Sequence, residues 1–408
     1  MTAHPIAPPC SDEVIERAFC EPEVVKEAWT TAGEVAADAC RIEAEAKSAA
    51  AALPAIVRLL GERGVLGVAV PGSVGGTFDD VRSIALCLAR ERLGHASPLV
   101  ELAFAMQALG SYPITARGNE AQQSEWLTGV AAGELVAAFA LTEAEAGSDL
   151  GGIATTARRD GDAYVLDGEK ILISNAGIAS FYVVFAATAP PGAKKRLSAF
   201  VVPAKSEGLR TTPTRVLGGH PIGTVHFAGV RVPAAQRLGE EGEGLSIALE
   251  TLHRLRPTVG AAALGFAQRA LDETLRHVRT RKQFGVPLAE QQAVQMHLAD
   301  MALDVESARL LVYRAAALAD LTHAIRKAQG RETEAQRARV GRTASMAKLG
   351  ATEAAFRVID TAVQLHGGRG VTEGSIVARL YEDIRALRIY EGASDVQKLL
   401  IARDVLRD

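Results

Sequence analysis

The sequence predicts an α+β fold with a helical N-terminal region, a central antiparallel β region and a helical bundle at the C-terminus. Three observations carry this expectation. Long segments rich in alanine, glutamate and arginine fill the chain up to about Val130, and such residues favour helix. From Thr142 the texture changes to segments such as AYVLDGEKILI, FYVVFAAT and LSAFVVPA, dense in β-branched and aromatic residues. After GEEGEG, residues 239–244, the helical period returns and persists to the end. The boundaries read as residues 1–140, 141–240 and 241–408, which suits a chain of 408 residues when domains average roughly 150.

The first region is helical from about Asp12. In IVRLLGERGVL, Ile56, Leu59 and Leu60 fall at helical spacing. Its breaks are expected at Pro71 to Gly76 and at Gly110 to Gly118, where glycine and proline interrupt the pattern. In the second region, Asp160-Gly161 and Asp167-Gly168 read as hairpin turns. The third region shows helical segments starting near Leu245, Ala289, Thr333, Ser375 and Ser394, broken at Gly285 to Pro287 and Gly367 to Gly370. The charged stretch from His323 to Val340 reads as a solvated helical extension or a loop.

Composition removes several classes of function. Charged residues make up 23% of the chain and the net charge is -3, so no basic face suits a nucleic-acid backbone. The four cysteines, Cys10, Cys20, Cys40 and Cys87, form no Cys-x-x-Cys pair, which points to a reduced cytoplasmic protein. The apolar stretch from Leu135 to Leu141 falls far short of the roughly 20 residues needed to span a bilayer, so no membrane insertion is expected. The nine histidines include no pair three or four apart, and no metal site is expected. Nucleotide loops and hydrolase elbows are also missing.

Four constellations stand out, each at a junction between elements. In LTEAEAGSD, Leu141 to Asp149, the hydroxyls of Thr142 and Ser148 flank a small-residue loop where backbone N–H groups can approach a ligand. In GEKILISNAG, Gly168 to Gly177, a strand ends in Ser174 and Asn175, which offer a hydroxyl and an amide. RTRKQFG, Arg279 to Gly285, and QLHGGRG, Gln364 to Gly370, place guanidinium groups beside glycine turns, a chemistry that suits a diphosphate. In IYEGAS, Ile389 to Ser394, one carboxylate stands at a glycine break between helices. In an apolar pocket its pKa would rise, which makes a base at neutral pH. Taken singly, each is also explained by an ordinary turn, strand end or helix cap.

Together and in this order, the constellations resemble the acyl-CoA dehydrogenase family over nearly the whole chain. LTEAEAGSD is similar to its T-E-x-x-x-G-S-D segment, KILISNAG to K-x-W-I-T/S-N, and RTRKQFG with Gln292 to R-x-x-F-G…Q. QLHGGRG is similar to Q-x-x-G-G-x-G, and IYEGAS to Y-E-G-T-S. The resemblance implies FAD as cofactor and an acyl-CoA, or an acyl-carrier thioester, as substrate in fatty acid metabolism. Glu391 would remove the α-proton while FAD takes the β-hydrogen as hydride at N5, leaving a trans-2-enoyl thioester. It implies cofactor contacts at Leu141, Thr142, Ser148, Leu172, Ser174, Arg281, Phe284, Gln292, Gln364, Gly367, Gly368, Ala393 and Asp395. Ser148, Arg256, Tyr390 and Gly392 would meet the substrate. It further implies a homodimer or homotetramer whose subunits share the FAD site, and an electron-transfer flavoprotein as acceptor.

The sequence departs from the family pattern where tryptophan, threonine and glutamine are replaced by Leu172, Ala393 and Asp395. The usual acidic partner of the pocket arginine is also missing, since Ala105 aligns there. Glu101, one turn away, is the expected substitute partner for Arg256. Two other readings stay open: a flavin-dependent oxidase or monooxygenase on the same fold, and a weakly catalytic protein that binds flavin or acyl groups.

Overall fold

The computed structural model describes residues 21–407. The expected helix start at Asp12, together with Cys10 and Cys20, lies outside them. In chain order the helices are α1 (Thr31–Glu45), α2 (Ala49–Glu62), α3 (Ser83–Ala96), α4 (Pro98–Arg117), α5 (Glu120–Ala131), α6 (Gly244–Thr280), α7 (Gln292–Gln329), α8 (Glu334–His366), α9 (Ile376–Leu387) and α10 (Ser394–Val405). The central strands are β1 (Ala137–Ala140), β2 (Thr156–Asp160), β3 (Ala163–Ser174), β4 (Phe181–Ala187), β5 (Leu197–Pro203), β6 (Leu209–Thr214), β7 (Ile222–Pro233) and β8 (Arg237–Leu238). Helices thus precede and follow a β region, as the sequence predicts. Among the described residues, no helix is long and apolar enough to cross a membrane.

The described chain forms two compact units. A β-rich unit holds residues 37–82 and 102–252, and a helical unit holds residues 21–36, 83–101 and 253–407.

The sheet of the β-rich unit runs in the order β6-β7-β3-β2-β4-β5-β8, with β1 added on β4. Pairing is antiparallel except where β1 and one residue of β2 meet β4. β4 and β5 are buried on both faces. Phe181, Val183 and Phe185 pack into one core with Trp126, Leu127 and Val130 of α5. Tyr182 and Val184 pack into a second core with Tyr164, Phe200 and Val225. This alternation at period two explains why the strands read as continuous apolar runs.

Three expectations need correction here. The first strand, β1, begins at Ala137, before the texture change at Thr142. Its sequence AAFA has little β propensity of its own, and it is ordered by pairing with β4 and burial of all four residues. The expected break at Gly110 is absent, because α4 continues through Gly110 and Pro113. A side chain on Gly110 would begin 2.7 Å from the Ala137 Cβ, so this glycine serves a close approach. Asp160-Gly161 does open a hairpin, with Asp160 opposite Ala163. Asp167-Gly168 lies inside β3 instead, at a bulge where Gly168 adopts φ 143° and sits against Thr155.

The helical unit packs α6, α7, α8 and α9 around Val259, Phe266, Met301, Val358, Ile359, Leu380 and Ile384. α3 is buried nearly all round, and its charged groups are matched. Glu91 accepts from Arg309 and from the Tyr313 hydroxyl, while Asp320 accepts from the first two backbone N–H groups of the helix. That carboxylate satisfies helix-end donors otherwise left open. The charged stretch from His323 resolves as two solvated helix ends. α7 closes on Gly330 with φ 71°, and a Thr333–Gln336 capping box starts α8.

Candidate active site

Glu391 stands in the loop between α9 and α10, with φ 52°. A non-glycine residue in this left-handed region costs on the order of 1–3 kcal/mol, so its surroundings must hold it there. They do so at several points. Gly392 follows with φ 95°, and a side chain on it would collide with Gln397 Nε2. The Gly392 carbonyl accepts from Lys348 Nζ at 2.8 Å and from Gln397 Nε2 at 3.1 Å. The Ser394 N–H closes the loop on the Arg388 carbonyl at 3.0 Å. Arg388 and Ser394 both donate to Glu353 on α8. Helix α8 therefore grips the loop twice, through Lys348 and Glu353.

The surroundings of Glu391 are charged, not apolar as the sequence suggested. Glu391 is half-buried, and its Oε2 is closed off from solvent without a hydrogen-bond partner. Burial pushes its carboxyl above the usual range, Arg90, Lys348 and Arg256 pull it down, and Glu101 adds to the rise. Glu101 is not the partner of Arg256. Its carboxylate bonds Arg90 Nε, and Arg90 also donates to Thr258 at 2.7 Å. A longer reach along α3 thus satisfies Glu101, and Arg256 is left with Nε and Nη1 buried and unpartnered. Arg256 Nη2 lies 4.0 Å from where a side chain on Gly392 would start. Tyr390 packs against the helical core, and burial drives its phenol far above its ordinary range.

The two diphosphate-type segments meet in the same unit. His277 near the end of α6 stacks on His366 at the end of α8, ring centroids 4.3 Å apart. This brings the Arg281 and Gln364–Gly368 segments together. Arg281, Gln292 and Gln364 are exposed, and side chains on Gly367 or Gly368 would meet nothing within 4 Å. Between Arg281 and Gln292 a small hairpin, β9 (Lys282–Gln283) with β10 (Val286–Pro287), presents Phe284 at φ 55° and 95% exposure. Ala393 precedes α10 at its N-cap and Asp395 is exposed on the first turn.

The remaining predicted residues lie in the β-rich unit. The loop after β1 is tied to β3 by a buried ion pair in which Lys170 Nζ donates to Glu143 Oε1 at 2.7 Å and to the Leu141 carbonyl at 3.0 Å. Glu143 also accepts from the N–H groups of Ala154 and Thr155. Burial alone would raise its carboxyl, but these bonds together hold it below the usual range. The Thr142 carbonyl accepts from Ile171 N–H at 2.9 Å, which sets Thr142 beside β3. Ser148 is exposed and a side chain on Gly147 would meet nothing within 4 Å. Leu172 is 50% exposed at φ 53°, within a register shift of β3. The Ser174 hydroxyl meets His220 Nε2 at 2.8 Å, and burial depresses that imidazole to about 4, so it is neutral at pH 7.

Sequence reasoning missed Arg90, Lys348, Gln397, Glu143 and Lys170. For Lys348 a signal existed: it falls on the apolar stripe of α8 with Ala344, Ala347, Ala351 and Ala355, where a lysine needs an internal partner.

Comparison with known proteins bears on both units. Three family models match in succession: the acyl-CoA dehydrogenase N-terminal domain over residues 22–134, the middle domain over 138–230 and the C-terminal domain over 242–406. The chain is 36% identical over 356 residues to the cyclohexane-1-carbonyl-CoA dehydrogenase of Geobacter metallireducens, covering 86% of this chain and 89% of that protein. Among solved structures it is similar to butyryl-CoA dehydrogenase from Megasphaera elsdenii, with TM-score 0.84, 31% identity and 95% and 100% of the two chains covered. An acyl-CoA dehydrogenase complexed with FAD from Bacillus anthracis gives TM-score 0.84 at 30% identity, covering 95% of this chain and 67% of the other.

Proposed function

The chain belongs to the acyl-CoA dehydrogenase family, an oxidoreductase family whose cofactor is FAD, and from that premise we propose that it converts an acyl-CoA, or a related acyl thioester, to the trans-2-enoyl thioester with Glu391 as the base. The observation that carries this reading is the Glu391 loop: a carboxylate held in a strained conformation, its Oε2 buried and unpartnered, its proton affinity raised by burial. A carboxylate with no internal partner is free to take a proton from a bound substrate. Its backbone N–H serves the thioester oxygen as negative charge develops there, with Tyr390 and Gly392 as neighbours in the same loop. Arg256, buried without a partner, adds positive charge beside that loop.

FAD, when bound, would supply the hydride acceptor for the hydrogen leaving Cβ. Leu141, Thr142, Ser148, Leu172 and Ser174 would hold its ring. Arg281, Gln292, Gln364 and the open glycines Gly367 and Gly368 offer the donors and backbone access that a diphosphate needs. Ala393 and Asp395 complete the assigned cofactor contacts.

Phe284 supports a shared site, because an aromatic ring 95% exposed on a strained turn is left almost unpacked within one subunit. Met296, Leu303 and Leu310, seven residues apart along α7, are exposed as well, the spacing of a helix-packing seam. We assign both to contacts with further copies of this chain, as a homodimer or homotetramer. Holo-protein that sediments as a monomer would overturn this part. An electron-transfer flavoprotein is the acceptor we assign. Half-exposed Leu172, together with the relative named for cyclohexane-1-carbonyl-CoA, favours branched or cyclic acyl groups.

The test is anaerobic mixing of FAD-loaded protein with butyryl-, octanoyl-, isobutyryl- and cyclohexane-1-carbonyl-CoA. At least one should bleach the flavin absorbance. Glu391→Gln should keep FAD bound yet slow bleaching by roughly 10²–10⁴-fold or more. Near-normal bleaching in that variant removes Glu391 as the base, and no bleaching by any member of the panel removes the reaction.

A further inference from the structure

The loop that carries Glu391 holds a conformation its own residues disfavour, and the question is what enforces it. Gly392 is required where it stands, by its φ of 95° and by the closeness of Gln397 Nε2. Glycine permits this turn but does not select it, since it populates many others as readily. Selection needs a fixed donor on the peptide that follows. The Gly392 carbonyl has two: Lys348 Nζ at 2.8 Å and Gln397 Nε2 at 3.1 Å. Both residues are fully buried. Lys348 also sits mid-helix on α8, five residues from the Glu353 that anchors the ends of the same loop.

We propose that Lys348 is the positioning residue of the catalytic loop, bolting the Gly392 carbonyl to α8 so that the Glu391 carboxylate and N–H are held where the reaction needs them. This rests on Glu391 being the base. The Lys348 ammonium has no carboxylate within salt-bridge distance among the described residues; its one side-chain hydrogen bond there is to the Gly392 carbonyl. Its charge is therefore not cancelled by contact, and it acts on Glu391 across the loop. Arg90 and Arg256 act in the same direction, while burial and Glu101 oppose them; Tyr390, whose phenol burial keeps neutral, is a further neighbour, and Glu353 and Arg388 act on Lys348 with opposite signs. The ammonium itself is depressed by burial to about 8, so it remains largely charged at neutral pH.

The test replaces Lys348 with Met and with Arg in the FAD-loaded protein. Its substrate is whichever of butyryl-CoA and cyclohexane-1-carbonyl-CoA reduces the parent faster. In Lys348→Met the rate of anaerobic flavin reduction should fall by about 10²-fold, the loss that an ångström of misplacement produces, with the substrate Kd nearly unchanged. The acid limb of the pH–rate profile should also move to higher pH. The sign follows from the base role: Glu391 must be deprotonated to act, and removing a nearby cation raises its pKa. Lys348→Arg keeps the charge, so it should return the limb and recover part of the rate. A rate close to the parent's, or an unmoved limb in Lys348→Met, overturns the proposal. If that variant does not fold, Lys348→Gln decides, because it keeps a shorter amide donor at the same place while removing the charge. Slowed reduction at unchanged Kd with the acid limb at higher pH then supports the proposal, and an unchanged rate or an unmoved limb overturns it. Near-normal activity in Glu391→Gln would instead show that the underlying choice of base is wrong.

Discussion

Two loops, one in each unit, are fixed by a fully buried lysine that donates to a backbone carbonyl, and the lysines differ in what else they face. Lys170 reaches the Leu141 carbonyl and also touches the Glu143 carboxylate at 2.7 Å. Lys348 reaches the Gly392 carbonyl alone. Burial depresses both ammonium groups to about 8. The first charge is neutralised where it sits, so Lys170 ties the Leu141–Asp149 loop to β3 and has little electrostatic reach. The second is left uncancelled, and its field falls on Glu391. The same residue type, equally buried, thus serves as structure alone in one unit and as structure with electrostatic reach in the other.

The largest effect that separates them is on stability. Lys170→Met leaves the buried Glu143 carboxylate without its cation, and breaking a buried pair by removing one partner costs about 3–5 kcal/mol. The two backbone donors on Glu143, from Ala154 and Thr155, place the expectation at the lower end of that range. Lys348→Met removes an unpaired buried cation and leaves Gly392 with its Gln397 bond, so the folding midpoint should shift much less. Denaturant unfolding of both variants measures the difference, and adding Glu143→Gln to Lys170→Met should recover part of the loss. Equal stability of the two single variants would break the comparison. It would mean that ion pairing does not distinguish the lysines.

The sequence announced neither tie. Glu143 and Lys170 both lie inside segments picked out for their small residues and hydroxyls, yet they are 27 positions apart, and nothing in either segment announces that they meet. Lys348 lies outside every constellation, and only its place on an alanine stripe marks it. What was legible was local: the change in texture, the helix start near Thr333, the glycine breaks at Gly285 and Gly367 and the order of the motifs. What was not legible depended on contacts between distant segments. Gly110 reads as a break until Ala137 is seen against it. Asp167-Gly168 reads as a turn until β7 pairs across the bulge. Glu101 was matched to Arg256 because it lies one helical turn from Ala105, where the family resemblance places an acidic partner, whereas Arg90, on the preceding helix, lies close enough to take it.

The smallest expected effect concerns Leu172, on the strand that Lys170 anchors. Leu172 is two residues beyond Lys170, in the left-handed region and 50% exposed, so the lysine fixes where this side chain is presented. On the proposed assignment of Leu172 to the flavin ring, leucine in place of an aromatic residue forgoes ring contacts worth about 0.5–1.5 kcal/mol beyond burial and would leave space for a bulkier acyl group. Leu172→Trp should therefore change FAD retention by about two- to tenfold, as 1.4 kcal/mol corresponds to about tenfold in an equilibrium constant. It should slow cyclohexane-1-carbonyl-CoA more than butyryl-CoA, because one methylene's worth of space in a pocket discriminates by roughly 10–200-fold. The ratio of kcat/KM for the two substrates, parent against variant, reads this directly. Equal losses for both would assign Leu172 to support of the flavin alone. The anchored strand would then hold the cofactor without selecting the substrate, and the contrast between a structural lysine and an electrostatic one would stand without any part for Lys170 in specificity.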